Sequence, residues 1–142
     1  MKTFSLIIIT LFSLIGLAAC GGAAPAAAPA EAQTIDLASL PAVIDVQTAA
    51  ALQGRDDVLL IDVREQWEYD EGHIPGITHI PMNEIPNRLS EIPTGKTVVL
   101  TCRSGNRSGQ VTDFLQQQGF DNVHNMNGGI VAWQGAGLPV EK

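Results

Sequence analysis

Beyond about residue 34, apolar and polar positions fall into short alternating blocks. The runs "DVLLIDV" (57–63) and "TVVLTC" (97–102) are almost unbroken by polar residues, the pattern of strands covered on both faces. Shorter apolar pieces, "AVIDV" (42–46), "ITHIP" (77–81) and "NVHNM" (122–126), predict three more strands. Between them lie helical segments: "QTAAALQG" (47–54) stopped by Gly54, "REQWEYDEG" (64–72) stopped by Gly72, and "GNRSGQVTDFLQQQ" (105–118) stopped by Gly119. Val111, Phe114 and Leu115 share one face of the last of these, which marks them as core. "NEIPNRLSEIP" (83–93) reads as a broken helical stretch, and "GGIVAWQGAGLPV" (128–140) as a glycine-rich closing turn with a short helix. Strands alternating with helices predict an α/β fold with a central, mostly parallel five-stranded sheet flanked by helices. In such sheets sites form where a strand's carboxyl end opens into a helix. Cys102 occupies that kind of place.

The chain ahead of residue 34 has a different texture. Residues 1–19 carry a basic start at Lys2 and the apolar stretch "FSLIIITLFSLIGLAA", the make-up of a signal peptide. Its strongly apolar part falls short of the roughly 20 residues that span a bilayer. "LAAC" (17–20) resembles the lipobox of bacterial lipoproteins, which implies cleavage before Cys20 and lipidation of that cysteine. The Gly/Ala/Pro segment "GGAAPAAAPAEAQ" (21–33) has nothing to build a core with and reads as a tether. The expected organisation is therefore a leader over 1–19, a lipidated cysteine and tether over 20–33, and one domain over 34–142. Its expected location is extracytoplasmic, on a bacterial membrane.

Composition narrows the function. The 142 residues carry 8 Lys+Arg against 15 Asp+Glu, a formal charge of −7, with no basic run. Nucleic acid is thereby excluded as a partner. His73, His79 and His124 are scattered, so no metal site is expected. Removal of the leader would take Lys2 with it and leave 7 basic residues against 15 acidic, a formal −8. The chain has two cysteines, and lipidation of Cys20 would leave Cys102 without a disulfide partner. In an oxidising compartment a lone thiol is a liability unless it is buried or used.

The loop "CRSGNRS" (102–108) favours use. Helix N-termini and neighbouring arginines lower a thiol's pKa, and Gly105 supplies a residue free of a side chain's dihedral limits. Backbone N–H groups of Arg103, Ser104, Gly105, Asn106, Arg107 and Ser108 are placed to cradle an anion, with Arg107 offering a charge-assisted donor. No histidine lies nearby in sequence, so the activation would be electrostatic. The competing reading is a small core cysteine beside solvated arginines.

Three segments, "LLIDVREQWEYDEGHIPGITHIP" (59–81), "VVLTCRSGNRS" (98–108) and "NVHNMNGGIVAWQGAGLPV" (122–140), resemble the rhodanese family in order and spacing. The resemblance implies a small single α/β domain whose cysteine carries a transferable sulfur as a persulfide. Cys102 holds that position, and residues Arg103 to Ser108 match the loop whose N–H groups hold the outer sulfur. The implied activity is thiosulfate sulfurtransferase-like, from a small anionic sulfur donor to a thiophilic acceptor such as cyanide or a thiol, without cofactor. A protein sulfur acceptor fits the same half-reaction, and a monomer is the default for so small a domain. Mercaptopyruvate-using branches carry Gly directly after the cysteine; Arg103 stands there instead, which points to thiosulfate or another sulfane donor.

Two rivals are distinguishable. Cysteine phosphatases place five residues between Cys and Arg, whereas four separate Cys102 from Arg107, a cradle sized for one sulfur atom. The alternative from another class is a non-enzymatic sulfur-binding or partner-docking module, whose members usually lose the cysteine or degrade the loop. Among the other motif residues, Asp62 and Arg64 are expected to form a buried structural ion pair and Trp133 to pack in the core. His73 is left out of the site, and Trp67 and Tyr69 are expected to be partly buried.

Overall fold

The computed structural model of the protein describes residues 34–142. The leader, Cys20 and the tether inferred above lie outside the described residues. Five strands form one sheet: β1 (Val43–Ile44), β2 (Val58–Asp62), β3 (Thr78–His79), β4 (Thr97–Thr101) and β5 (Val123–Met126). Their order is β1-β5-β4-β2-β3 and every pairing is parallel. The helices are α1 (Val46–Leu52), α2 (Gln66–Glu71), α3 (Asn106–Gln117) and α4 (Gly129–Gly135). The broken stretch around residue 88 resolves into two 3₁₀ turns, Ile85–Asn87 and Leu89–Glu91, because Pro86 sits inside the first and denies an α-helix its donor.

Strand periodicity explains why β2 and β4 read as continuous apolar runs. Alternate residues of β4 and its extension, Val98, Leu100 and Cys102, join Ile61, Val63, Val111 and Leu115 in one buried cluster on the α3 side. Val99, with Val58 and Leu60, faces the opposite cluster, which holds Ala49 and Leu52 of α1 and Trp133 of α4. Both faces of the central strands are thus covered, as a parallel sheet requires. Cys102 extends the α3-facing row by one step beyond β4. Its side chain therefore arrives at the carboxyl edge of the sheet, under the start of α3.

The expected Asp62–Arg64 pair is present and buried: Arg64 Nη2 lies 2.7 Å from Asp62 Oδ2. The same guanidinium donates to the carbonyls of Glu68 (2.9 Å) and Gly72 (2.8 Å), which staples α2 to the end of β2. Trp133 is fully buried and donates Nε1–H to the Pro139 carbonyl at 2.8 Å. His73 exchanges backbone hydrogen bonds with Glu141, and Tyr69 stacks between the rings of His73 and His79. Trp67 departs from expectation. It is 60% exposed, because the six-residue α2 turns Glu68 inward and leaves its neighbour on the outer face.

Candidate functional site

The Cys102 residue is 1% exposed at the junction of β4 and the loop leading into α3. Gly105 opens α3 as its N-cap in the left-handed region, at φ 96°. A side chain there would be strained, and its Cβ would sit 3.1 Å from the Gly128 nitrogen. With glycine in place the loop folds back tightly, and the Gly105 N–H donates to Cys102 Sγ at 3.1 Å. The Ser108 hydroxyl oxygen lies 3.4 Å from the same sulfur.

Burial alone pushes the Cys102 thiol up. The Ser108 hydroxyl and the N–H groups of Ser108, Ser104 and Gly105 outweigh it, so that the thiol lies below its ordinary value. These groups converge on the sulfur from one loop and the positive end of one helix, which favours the thiolate. Among the described residues Cys102 is a free cysteine.

Three neighbouring elements hold the loop. From α4, the Ile130 N–H donates to the Cys102 carbonyl at 2.8 Å and the Val131 N–H to the Arg103 carbonyl at 3.2 Å. This approach depends on Gly129, at φ 56°, whose Cβ would lie 2.3 Å from the Cys102 carbonyl oxygen. From β5, buried Asn125 donates to the Gly105 carbonyl at 3.0 Å and accepts from the Ser108 hydroxyl at 2.7 Å. From α2, Glu68 grips Arg107 with two hydrogen bonds, at 2.6 and 2.7 Å.

The last pair engages a residue expected to offer a donor to an anion: both terminal nitrogens of Arg107 face the Glu68 carboxylate. Its hydrogen bonds to Glu68 hold the Glu68 carboxyl below the usual carboxylate range despite burial. Arg107 also acts on the sulfur through its charge. Arg103, Ser104 and Asn106 are exposed around the loop. Arg103 lines an open cleft of about 240 Å³ together with Glu68 and Glu71 of α2 and Ile130 and Val131 of α4.

Glu68 and Asn125 were not among the residues singled out from sequence. Glu68 sits in the acidic string "EQWEYDE", which reads as a solvated helix face. Asn125 left a fainter signal: an amide in the middle of a short strand that must be buried to complete the sheet.

Residues 45–136 match the family described as the Rhodanese-like domain. The chain is 48% identical over 89 residues to a sulfurtransferase of Allochromatium vinosum, which covers 63% of this chain and 83% of that protein. It is 30% identical over 93 residues to a thiosulfate sulfurtransferase of Pseudoalteromonas translucida, covering 66% and 89% respectively. Among solved structures, a rhodanese-related protein from Thermoplasma volcanium superposes with a TM-score of 0.65 at 29% identity, over 71% of this chain and 98% of that one.

Proposed function

We propose that this chain, which belongs to the rhodanese-like domain family, moves a sulfane sulfur from thiosulfate or a similar donor to a thiophilic acceptor through a persulfide on Cys102. Sulfur transfer at the level of the family is supported by the named sulfurtransferases that resemble it. The observation that carries the finer reading is the thiol itself, buried at a strand end with hydrogen-bond donors converging on its sulfur.

The chemistry is a double displacement. The Cys102 thiolate attacks the outer sulfur of thiosulfate; the S–S bond of the donor breaks, and sulfite leaves with its electron pair. The outer sulfur of the resulting persulfide carries the negative charge, and the loop N–H groups stabilise it without reorganising. A cyanide or thiolate acceptor then attacks that outer sulfur, and the thiolate of Cys102 is the leaving group. Arg103, exposed beside the loop, attracts an anionic donor toward an otherwise acidic molecule. Ser104, Gly105, Asn106 and Ser108 contribute the cradle, and Arg107 its charge. The further part of the reading is that the domain works outside the cytoplasm, tethered through lipidated Cys20, for which the support is the "LAAC" stretch and the tether composition.

The test is a thiosulfate:cyanide sulfurtransferase assay on the purified protein beside a Cys102→Ser variant, with intact mass read before and after thiosulfate. Turnover lost in the variant, and one added sulfur on the wild-type protein, is the expected result. Absence of both, from folded protein with a reduced thiol, overturns the reading in favour of a partner-docking module.

A further inference from the structure

The hydrogen bonds behind the thiol fix more than the shape of the loop. The Gly105 carbonyl can only accept, so the Asn125 amide must turn its NH₂ toward it, at 3.0 Å. Its oxygen then faces Ser108, and the Ser108 hydroxyl donates to it at 2.7 Å. A hydroxyl carries a single proton. With that proton on Asn125, the Ser108 oxygen meets the Cys102 sulfur, 3.4 Å away, through a lone pair. This suits a neutral thiol, whose S–H can donate to that lone pair. It does not suit a thiolate, which would face a lone pair across the same gap.

We propose that Asn125 is a positioning residue that holds the Ser108 hydroxyl proton while the sulfur is uncharged and yields it to the sulfur when the thiolate forms. The direction follows from bond strength, since a hydrogen bond to an ionised acceptor is roughly twice as strong as one to a neutral carbonyl. On ionisation the thiol's proton leaves to water and the Ser108 O–H rotates from Asn125 Oδ1 to the sulfur. The Asn125 oxygen is then left buried without that donor, at a cost that opposes ionisation. When the sulfur becomes the uncharged inner atom of a persulfide, the proton returns to Asn125. Ser108 is thus a rotor with two settings, and Asn125 decides how firmly the resting one is held. Ser108, Asn125 and Cys102 are all buried, which keeps the competition among these three groups.

The charges around the sulfur are few. Arg107 of α3 acts on it through space while bound to Glu68 of α2, and Arg103 lies in the loop itself. Asp62 of β2 is bound to Arg64. The β5 histidine, His124, is held at Pro41, and α4 brings no titratable side chain.

The inference rests on Cys102 working as a thiolate, as the proposed function has it, but its test needs no sulfur transfer. The pH dependence of Cys102 alkylation by iodoacetamide, followed by peptide mass, is measured in the wild-type protein and in Asn125→Ala, Ser108→Ala and the double variant. Ser108→Ala alone removes a donor and makes the thiolate harder to form. Asn125→Ala also frees the Gly105 carbonyl, but that effect is common to both Ser108 backgrounds and cancels in the cycle. The expected result is that Asn125→Ala favours the thiolate by about two- to tenfold more with Ser108 present than in the Ser108→Ala background, the range of one neutral hydrogen bond. The near-isosteric Asn125→Leu, which keeps the side chain's bulk and offers Ser108 no acceptor, provides a second cycle of the same expected sign should the alanine variant fail to fold. Equal effects of Asn125 substitution in both backgrounds would overturn the proposal. So would a cycle of the opposite sign, and neither result would touch the sulfur-transfer reading.

Discussion

Gly129→Ala tests how the cysteine loop is built. The new Cβ would lie 2.3 Å from the Cys102 carbonyl oxygen, 2.5 Å from the Arg103 carbonyl carbon and 2.6 Å from its oxygen. Ordinary contact begins about 1 Å further out, and each of these neighbours is backbone, so no flexible side chain can give way. Overpacking of this kind costs about 1–3 kcal/mol. Alanine held at φ 56° adds roughly 1–2 kcal/mol. The two terms separate by comparison with Gly137→Ala, because Gly137 also has a positive φ, 73°, but its Cβ would meet nothing within 4 Å. Urea unfolding followed by circular dichroism should therefore show Gly137→Ala lower by about 1–2 kcal/mol and Gly129→Ala by about 2–5 kcal/mol. Against a typical stability of about 5–15 kcal/mol the second variant stays largely folded. It relieves its clash by moving α4 off the loop, which strains the Ile130-to-Cys102 hydrogen bond and loosens the donors on the sulfur. Cys102 alkylation near neutral pH should slow in Gly129→Ala and stay unchanged in Gly137→Ala. If the two variants lose equal stability, the close approach of α4 to the loop is wrong.

The remaining predictions concern charge. Glu68→Gln should lower stability while speeding Cys102 alkylation at neutral pH, because Arg107 loses its counter-charge and its field on the sulfur is less offset; slower alkylation by folded protein would refute this. The Glu68 carboxyl is held below its ordinary value, first by Arg107, so its contribution is present above the carboxyl's unfolded pKa and fades as pH falls through the lower folded one. Urea titrations from neutral to acid pH should show that loss in the wild-type protein and less of it in Glu68→Gln. Arg64→Met leaves Asp62 buried without its partner and should cost about 3–5 kcal/mol, read by the same unfolding measurement; a loss under about 1 kcal/mol would put the ion pair in solvent. For the N-terminus, Cys20→Ser should abolish incorporation of a fatty-acid label in a bacterial host and release the protein from the membrane fraction.

Much of the fold was legible because the strands announce themselves. A run such as 57–63, with four consecutive apolar residues at 58–61, has few ways to be buried except between two layers. The Cys102 loop was legible for a similar reason, since its glycine, its arginines and its place after a strand point one way together. What the sequence hid were partners distant along the chain. Glu68 looks like one more exposed carboxylate until α2 is docked on β2 by Arg64. Arg107 looks like a free cation until Glu68 arrives from 39 residues away. Trp67 was misjudged because composition alone does not say which face of a six-residue helix turns inward. Asn125 could have been flagged, since an amide in a buried strand demands hydrogen-bond partners.

The groups that hold the sulfur's surroundings come from four separate places along the chain. Glu68 precedes the cysteine, the loop surrounds it, and Asn125 and the α4 backbone follow it. Before those places come together the chain therefore presents Cys102 as an ordinary thiol, largely protonated at neutral pH and slow toward oxidants and stray electrophiles. The donors gather on the sulfur only once these separate segments have come together. By then packing against β2, β4, β5 and α3 has placed the sulfur under cover. The protein's hazardous group is thus switched on by completion of the fold rather than by the presence of the residue.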